Sequence, residues 1–377
     1  MGRSMLQNGL QGPRGERPVP SCFVLNNVHT DTSISLYKGR KNFRPPMNLE
    51  FTMPEQTYLE AIRAGLEEEM RRDPAVYIFG EDVALGGPFG VTKGLAETFG
   101  VNRTVNTPIS EATVMGLAIG SATAGLRPVI EIMFIDFITL AMDQLINHAA
   151  KLHYMSGGQL KIPLTVRVQC GISGAMGAHH SQSLEAWLAH VPGLKVVMPA
   201  NPADAKGLLK SAIRDDNPVV FIEHRGLYWS KGEVAPNSDS IAIGQAAILR
   251  DGKDLTIVAL SSMVAPALAA ARELEAEGIS VEVIDPRTIS PLDIETIAAS
   301  VKKTSRLIVA HEAVEQGGIG AEIVSRVQQE VFYYLDSPIL RVAAPFAPVP
   351  AGPTLEKQFL PNQERIVDAC RRALSSN

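Results

Sequence analysis

The strongest constraint on the fold is a long alternation of strand-like and helix-like segments that begins at Thr57. Its first segment, "TYLEAIRAGLEEEMRRDP", has capping-box spacing between Thr57 and Glu60, and its apolar residues recur at helical intervals until Pro74. Short apolar runs such as "AVYIFG", "PLTVRVQ" and "LTIVALSS" then alternate with further helical patterns. Buried strands that alternate with helices are typical of parallel sheets covered by helices on both faces. The pattern therefore predicts an α/β fold with doubly wound sheets.

The alternation is interrupted by the polar stretch "YWSKGEVAPNSDS", residues 228–240. Because 377 residues exceed the usual size of one domain, we predict two doubly wound domains, residues 53–230 and 241–377. Residues 1–52 show no periodicity and are predicted to be a disordered arm, or sequence upstream of a later start. They lack the apolar core of a secretory signal, and an organelle transit peptide remains an alternative.

Composition narrows the class of partner. A net charge of −5 gives no reason to expect nucleic acid or an acidic membrane surface. No membrane span is predicted, since the most hydrophobic region, residues 128–146, is interrupted by Glu131, Asp136 and Asp143. The three cysteines lie far apart, which argues against a disulfide framework or a zinc site and suits a reducing compartment. We expect a cytoplasmic protein, or one of the mitochondrial matrix if the arm is a transit peptide.

Candidate site residues lie just after predicted strands, where open parallel sheets bind ligands. Glu111 begins a helix of small residues, where a carboxylate either stabilises the helix dipole or binds a ligand. His179 and His180 lie in the loop "GAMGAHHSQS" and could transfer protons near neutral pH, or simply belong to a surface loop. Adjacent side chains of an extended chain point in opposite directions, so we expect only one of the two histidines in a site.

Two further segments have a structural and a functional interpretation. Phe134 and Phe137 follow the strand "PVIEIM" and could belong to the core or stack on a planar ring. The helix end "KSAIRDDNP", residues 210–218, could hold a monovalent cation with its carbonyls, Asp215 and Asn217, or could form a simple polar cap. The residues alone leave both alternatives open.

Several of these segments, taken in order, resemble one family. They are "GEDVALGGPFGVTKGL", "NTPISE", "AGLRPVIEIMF", "MDQLINHAAKLHYMSGGQ", "HHSQS" and "HVPGLKVVMPANPADAKGLLKSAIRDDNPVV". They are similar to the beta subunits of thiamine-diphosphate-dependent 2-oxo acid dehydrogenases, the first component of the pyruvate, acetoin and branched-chain complexes. The resemblance implies a transketolase-like pyrimidine-binding domain followed by a transketolase C-terminal domain, the second matched by "VIDPRTISPLD" and "HEAVEQGGIGAEI".

The resemblance also implies partners. Thiamine diphosphate would lie between this chain and an alpha subunit in an alpha2beta2 heterotetramer. In the family the alpha subunit holds the diphosphate and Mg²⁺ with a G-D-G motif followed by Asn, and no G-D-G occurs in this sequence. This chain would therefore supply half of a site. The acyl group of a small 2-oxo acid would pass to a lipoyl domain of an acyltransferase core.

The same resemblance implies roles for individual residues. Glu111 would hydrogen-bond a ring nitrogen of the cofactor's pyrimidine, and Phe137 would stack on that ring. His180 would transfer a proton during acyl transfer to the lipoyl group. A structural potassium ion, as in pyruvate-type members, would bind Asn217 and the carbonyls of Leu164, Ala212, Ile213 and Asp215.

Substrate signals in the sequence are divided. The segments "YMSGGQ" and "HVPGLKVVMP" favour pyruvate or acetoin enzymes, whereas "GEDVALGG" and "HEAVEQGGIGAEI" are closer to branched-chain members. We predict the pyruvate or acetoin type. The alternatives are a branched-chain enzyme, a transketolase-like transferase split over two chains, and a non-catalytic doubly wound binding module.

Overall fold

A computed structural model of the chain describes residues 54–235 and 240–375, so the predicted arm, residues 1–52, lies outside the described residues. The strands of the described part are β1 (Glu55–Thr57), β2 (Val76–Gly80), β3 (Thr104–Asn106), β4 (Arg127–Ile132), β5 (Thr165–Cys170), β6 (Lys195–Val197), β7 (Val219–His224), β8 (Lys231–Glu233), β9 (Ala247–Arg250), β10 (Leu255–Ala259), β11 (Val281–Asp285), β12 (Thr288–Ser290), β13 (Leu307–Val314) and β14 (Leu340–Ala344).

The α-helices of the same part alternate with these strands. They are α1 (Tyr58–Arg72), α2 (Leu95–Phe99), α3 (Glu111–Thr123), α4 (Ala150–Met155), α5 (Glu185–Ala189), α6 (Pro202–Arg214), α7 (Val264–Glu275), α8 (Ile294–Thr304), α9 (Ile319–Val331), α10 (Pro353–Phe359) and α11 (Gln363–Ser375). Within residues 54–235 and 240–375, no helix combines the length and apolar character needed to cross a bilayer.

Two mostly parallel sheets organise the chain, as the alternation predicts. The larger has seven strands in the order β12-β6-β7-β5-β4-β2-β3, and the smaller has five in the order β14-β13-β10-β11-β9. In the larger sheet only β12 runs antiparallel to its neighbour, and in the smaller sheet only β9 does. Strand β12 comes from the second half of the chain, so that half adds an edge strand to the first sheet. The predicted α/β fold class is confirmed.

The first helix shows how local sequence sets the fold. The Thr57 hydroxyl accepts a hydrogen bond from the Glu60 N–H at 3.2 Å, and the Glu60 carboxylate accepts one from the Thr57 N–H at 2.8 Å. This is the predicted capping box. Apolar side chains of α1 are buried against α6 and the first sheet; they are Leu59, Ile62, Leu66 and Met70. The helix ends at Arg72, just before Pro74.

The sequence pattern also predicts a helix from about Asp136 to Met155, and this segment is helical but changes pitch. It begins as a 3₁₀ helix, Ile135–Ala141, continues as a π-helix, Gln144–Ala149, and ends as α4. Apolar periodicity indicates a helix but does not distinguish these pitches. π-helical turns are rare and are frequent at functional sites.

Short elements were missed by the sequence patterns. The stretch predicted as a polar break, residues 228–240, contains β8, which pairs antiparallel with β1 so that Glu55 lies opposite Glu233. The sequence patterns likewise did not predict the short elements α2, α5, β3 and β12. A strand of three residues shows too little alternation to produce a recognisable period, so only its tertiary pairing defines it.

Candidate active site

The predicted site residues gather at the carboxyl edge of the seven-stranded sheet. Glu111 begins α3, directly beyond the end of β3, and Phe137 follows β4. The histidine loop, residues 171–183, follows β5, and His224 and Arg225 lie where β7 ends. Because these strands are parallel, their following segments meet at one edge, as the sequence analysis expects.

Glu111 lies half-buried at the first position of α3. Its carboxylate has no hydrogen-bond partner within residues 54–235 and 240–375, and Ser110 forms no side-chain cap. Burial and the nearby carboxylates of Glu111 and Asp82 raise the pKa of Glu81 above its ordinary value. The start of α3 is therefore surrounded by acidic side chains. The Glu111 carboxyl group there is available for a hydrogen bond with a group outside the described residues.

An aromatic cluster joins the segment after β4 to the histidine loop. The rings of Phe137 and His180 are 5.4 Å apart between centroids and nearly perpendicular. Phe134 lies against both, at 5.6 Å from Phe137 and 4.8 Å from His180. Helix α3, which begins at Glu111, packs against the 3₁₀ helix that carries Phe137. The structure thus brings Phe137 and His180 into contact and places Glu111 at the start of the helix that packs beside them.

The two adjacent histidines do not point in opposite directions, so that expectation is wrong. Their ring centroids are 4.4 Å apart. Residues 178–180 form a turn rather than an extended strand, so the alternation of side chains in an extended chain does not apply to them. His179 is exposed and His180 is half-buried against the phenylalanines, so the two rings differ in depth.

A buried ion triad below this edge was missed by the sequence analysis. Arg167 on β5 donates to the Glu131 carboxylate at 2.6 Å and to both Glu223 oxygens at 2.6 and 3.0 Å. The Tyr228 hydroxyl also donates to Glu223, at 2.7 Å. The two carboxylates raise the pKa of Arg167 although burial opposes this. The signal was present, because the adjacent strand patterns "PVIEIM", "PLTVRVQ" and "PVVFIE" each contain a charged residue.

Several buried polar atoms around Cys170 form no hydrogen bond within the described part of the chain. They are Asp136 Oδ2, both side-chain polar atoms of Gln169, Ser181 Oγ and Glu185 Oε2. Burial raises the pKa of Glu185 to about 7. Burial, with the charges of Glu185 and Glu312, also raises the pKa of the Cys170 thiol. Such groups carry a desolvation cost that a well-packed scaffold usually avoids.

The residues expected to hold potassium lie near one another, but their carbonyls already accept hydrogen bonds. Arg127 donates to the carbonyls of Ile213 and Asp215 at 3.0 and 3.1 Å. The Val219 N–H donates to the Leu164 carbonyl, and the Asp215 N–H donates to the Ala212 carbonyl. The side-chain amide of Asn217 donates to the Asp215 carboxylate at 2.9 Å. Potassium binding at this turn stays a prediction.

Comparisons with known proteins agree with this arrangement. The transketolase pyrimidine binding domain matches residues 55–230, and the transketolase C-terminal domain matches residues 244–366. A pyruvate dehydrogenase E1 component subunit beta from Rhizobium meliloti (strain 1021) is 44% identical over 363 residues, which cover 96% of this chain and 79% of the relative. The mitochondrial subunit beta-2 of rice, Oryza sativa subsp. japonica, is 48% identical over 85% of this chain and 86% of the relative.

Two other relatives carry different names. The beta subunit of an acetoin:2,6-dichlorophenolindophenol oxidoreductase from Cupriavidus necator (strain H16) is 44% identical over 83% of this chain and 96% of the relative. A solved structure of a split-gene transketolase, described as an inactive beta4 tetramer, is 27% identical with a TM-score of 0.69. It covers 85% of this chain and 98% of that one. The chain belongs to the family of beta subunits of thiamine-diphosphate-dependent 2-oxo acid dehydrogenases.

Proposed function

We propose that this chain is the beta subunit of a cytoplasmic pyruvate or acetoin dehydrogenase that works with an alpha subunit. The observation that carries the proposal is the position of Glu111, Phe137 and His180 at one sheet edge, where the Glu111 carboxylate has no hydrogen-bond partner among the described residues. The names of the relatives support pyruvate or acetoin as the substrate class.

The residues at this edge fit the aminopyrimidine half of thiamine diphosphate. A planar ring needs an aromatic face and a hydrogen-bonding partner for its nitrogens, and Phe137 and Glu111 offer these groups. When bound, thiamine diphosphate supplies a carbon nucleophile and an electron sink. Glu111 would hold a proton at the ring nitrogen, and Phe137 would fix the plane of the ring.

His180 would act in the second step. Opening of a lipoyl dithiolane ring requires a proton at the departing sulfur, and a positioned imidazolium can donate it. Phe134 and Phe137 limit the rotation of the His180 ring by edge contacts on two sides. The acyl acceptor would be the lipoyl domain of an acyltransferase core.

The diphosphate and Mg²⁺ would be held by the alpha subunit in an alpha2beta2 heterotetramer. The absence of a G-D-G motif from this sequence supports that division of the site. We expect isolated beta chain to show no tight, Mg²⁺-dependent binding of thiamine diphosphate by calorimetry. Micromolar binding of thiamine diphosphate to the isolated chain would contradict the proposal that this chain supplies only half of the site.

Co-expression with the encoded alpha-like chain tests the function. The complex is assayed with pyruvate, acetoin, branched-chain 2-oxo acids and a ketose phosphate, with an artificial electron acceptor for the first three classes. We expect thiamine-dependent turnover with pyruvate or acetoin, at least about tenfold above the others in kcat/KM. Preference for branched-chain 2-oxo acids would show that the chain belongs to a branched-chain enzyme. Turnover of the ketose phosphate alone would favour a split transketolase.

We also propose that potassium binds the turn formed by Leu164, Ala212, Ile213, Asp215 and Asn217. The carbonyl oxygens there keep a second lone pair beside their existing hydrogen bonds. Thermal unfolding of the complex in KCl and in NaCl at equal ionic strength tests the site. A melting temperature that is the same in both salts would argue against a specific potassium ion.

A further inference from the structure

Arg225 has a position that neither the sequence motifs nor the family roles explain. It lies at the end of β7 and is buried. Its Nη1 donates to the His180 carbonyl at 2.9 Å, and its Nη2 donates to the carbonyls of Gly171 and Ser173 at 3.0 and 2.8 Å. One guanidinium therefore ties the beginning of the histidine loop to its catalytic turn.

The same guanidinium also supports the ring that packs on His180. The Arg225 guanidinium carbon lies 5.4 Å from the centroid of the Phe134 ring. The Phe134 ring also contacts the His180 imidazole edge-on, with 4.8 Å between centroids and 87° between planes. Arg225 thus acts on His180 twice, through the backbone carbonyl and through Phe134.

His224, the residue before Arg225, helps to hold the entrance of the histidine loop. The Gly226 N–H donates to His224 Nδ1 at 3.1 Å, so the proton of a neutral imidazole lies on Nε2, which contacts the Glu312 carboxylate at 2.7 Å. Glu312 accepts the Ile172 N–H at 2.6 Å. A Cβ at Gly171, whose φ is +93°, would lie 2.1 Å from the His224 ring. His224 and Glu312 therefore hold the loop entrance by hydrogen bonds, and Arg225 contacts the far turn.

We propose that Arg225 is the positioning residue of His180, which sets the depth and orientation of the imidazole for proton transfer to the acyl acceptor. This inference rests on the proposed role of His180. The hydrogen bonds of Arg225 are with the histidine loop, and its ring contact is with Phe134, so its loss should displace the turn more than it disturbs the sheet.

Arg103 provides a matched control at the opposite edge of the sheet. Its guanidinium donates to the carbonyls of Met70, Asp73 and Val76, and its carbon lies 5.3 Å from the Phe99 ring. The chemistry is the same as at Arg225: backbone carbonyls around one guanidinium with a phenylalanine ring beside it. Arg103 lies at the amino end of the strands, far along the chain from the histidine loop.

The test uses Arg225→Gln, Arg225→Lys and Arg103→Gln in the complex with the alpha subunit. Decarboxylation is followed with an artificial electron acceptor, and acyl transfer is followed with a free lipoyl domain. We expect Arg225→Gln to lower acyl transfer about tenfold and decarboxylation less than about threefold. Arg225→Lys should lie between this variant and wild type, because an ammonium cannot bridge the same carbonyls. Arg103→Gln should change neither rate by more than about threefold.

A double variant separates positioning from stability. When His180 is already alanine, Arg225→Gln should lower acyl transfer by less than a further factor of about two, because the two residues act as one unit. Equal loss in both reactions, or full additivity with His180→Ala, would overturn the proposal and leave Arg225 a purely structural residue.

Hydrogen exchange tests the anchoring without any turnover. On the full chain, amides of residues 172–183 should exchange several times faster in Arg225→Gln than in wild type or Arg103→Gln. Unchanged exchange in that segment would overturn the positioning proposal even in an active complex. If wild-type complex shows no thiamine-dependent turnover, the proposed function fails, and the exchange result still decides whether Arg225 anchors the loop.

Discussion

The two edges of the seven-stranded sheet use charged side chains in different ways. At the amino edge, Arg103 and Arg127 are only partly buried and their hydrogen bonds go to backbone carbonyls and to Asp216. In the carboxyl half, Arg167 and its two carboxylates are shielded from water, and several polar atoms near the histidine loop have no partner in the described residues.

The two edges therefore differ in the free-energy cost of their buried polar groups. An unsatisfied buried polar atom costs about 1–3 kcal/mol, and a buried charge costs more unless it is paired. Nothing in the packing of a parallel sheet requires such groups at one end of its strands. Five of the unpartnered atoms belong to Asp136, Gln169, Ser181 and Glu185, around the histidine loop. Local rules of this kind are most often broken at functional sites, which is consistent with the proposed role of this edge.

The largest expected effect is on the ion triad. Arg167→Met should leave Glu131 and Glu223 buried without their common cation and should destabilise the complex by roughly 3–5 kcal/mol. Arg127→Met, at the amino edge, is the control and should cost under about 2 kcal/mol, since its ion pairs are partly solvated. Urea unfolding of both variants measures the difference. Equal losses would remove the contrast between the two edges.

Glu111→Gln should be the most damaging change to activity. In the proposed role Glu111 acts as an acid at the cofactor ring, so an amide there should lower both reactions by about two powers of ten or more. Glu97→Gln, an exposed carboxylate in the first turn of α2, is the control. Size-exclusion chromatography should show normal assembly of both. Activity of Glu111→Gln within about threefold of wild type would count against the assignment.

His180→Ala should divide the two reactions. Loss of the imidazole should cost acyl transfer to a free lipoyl domain about a hundredfold, and should cost decarboxylation less. His179→Ala should have the smaller effect on both, because His179 is exposed while His180 packs against Phe134. A larger loss of acyl transfer for His179→Ala would show that the other histidine is catalytic.

The smallest expected effect is the pH dependence contributed by Glu185. Burial raises its pKa from 4.5 to about 7, so the folded state keeps a proton that the unfolded state releases between these values. Stability from this group is therefore present below pH 4.5 and is lost as the pH rises towards 7. Glu185→Gln cannot ionise, so it should be more stable than wild type at pH 8 by roughly 1–3 kcal/mol and similar to it near pH 4.

Thermal unfolding from pH 4 to pH 8 measures this difference. Glu322→Gln, an exposed carboxylate on α9, should follow the wild-type curve throughout. Burial also raises the pKa of Asp285 to about 7. The stability of Glu185→Gln should therefore still depend on pH, but less steeply than that of wild type. A Glu185→Gln curve parallel to wild type would show that this carboxyl group is not protonated in the folded state.

The sequence alone determined the parts of this protein that depend on near neighbours along the chain. Alternating patterns predicted parallel sheets covered by helices, and the spacing of Thr57 and Glu60 predicted a capped helix. Helix capping and helical periodicity depend on residues about three or four positions apart, so both can be recognised in a sequence. The order of the strands and helices placed Glu111, Phe137 and His180 at one edge, because parallel strands end together.

Only the tertiary structure decided which side chains meet. The partners of Arg167 are 36 and 56 residues away, and Glu312 contacts Ile172 across 140 residues, so strand register and domain packing select them. The same holds for the turn that places His179 and His180 side by side, and for Arg225 beneath it. A local pattern fixes the face on which a residue lies, whereas a contact distance depends on how two distant segments pack.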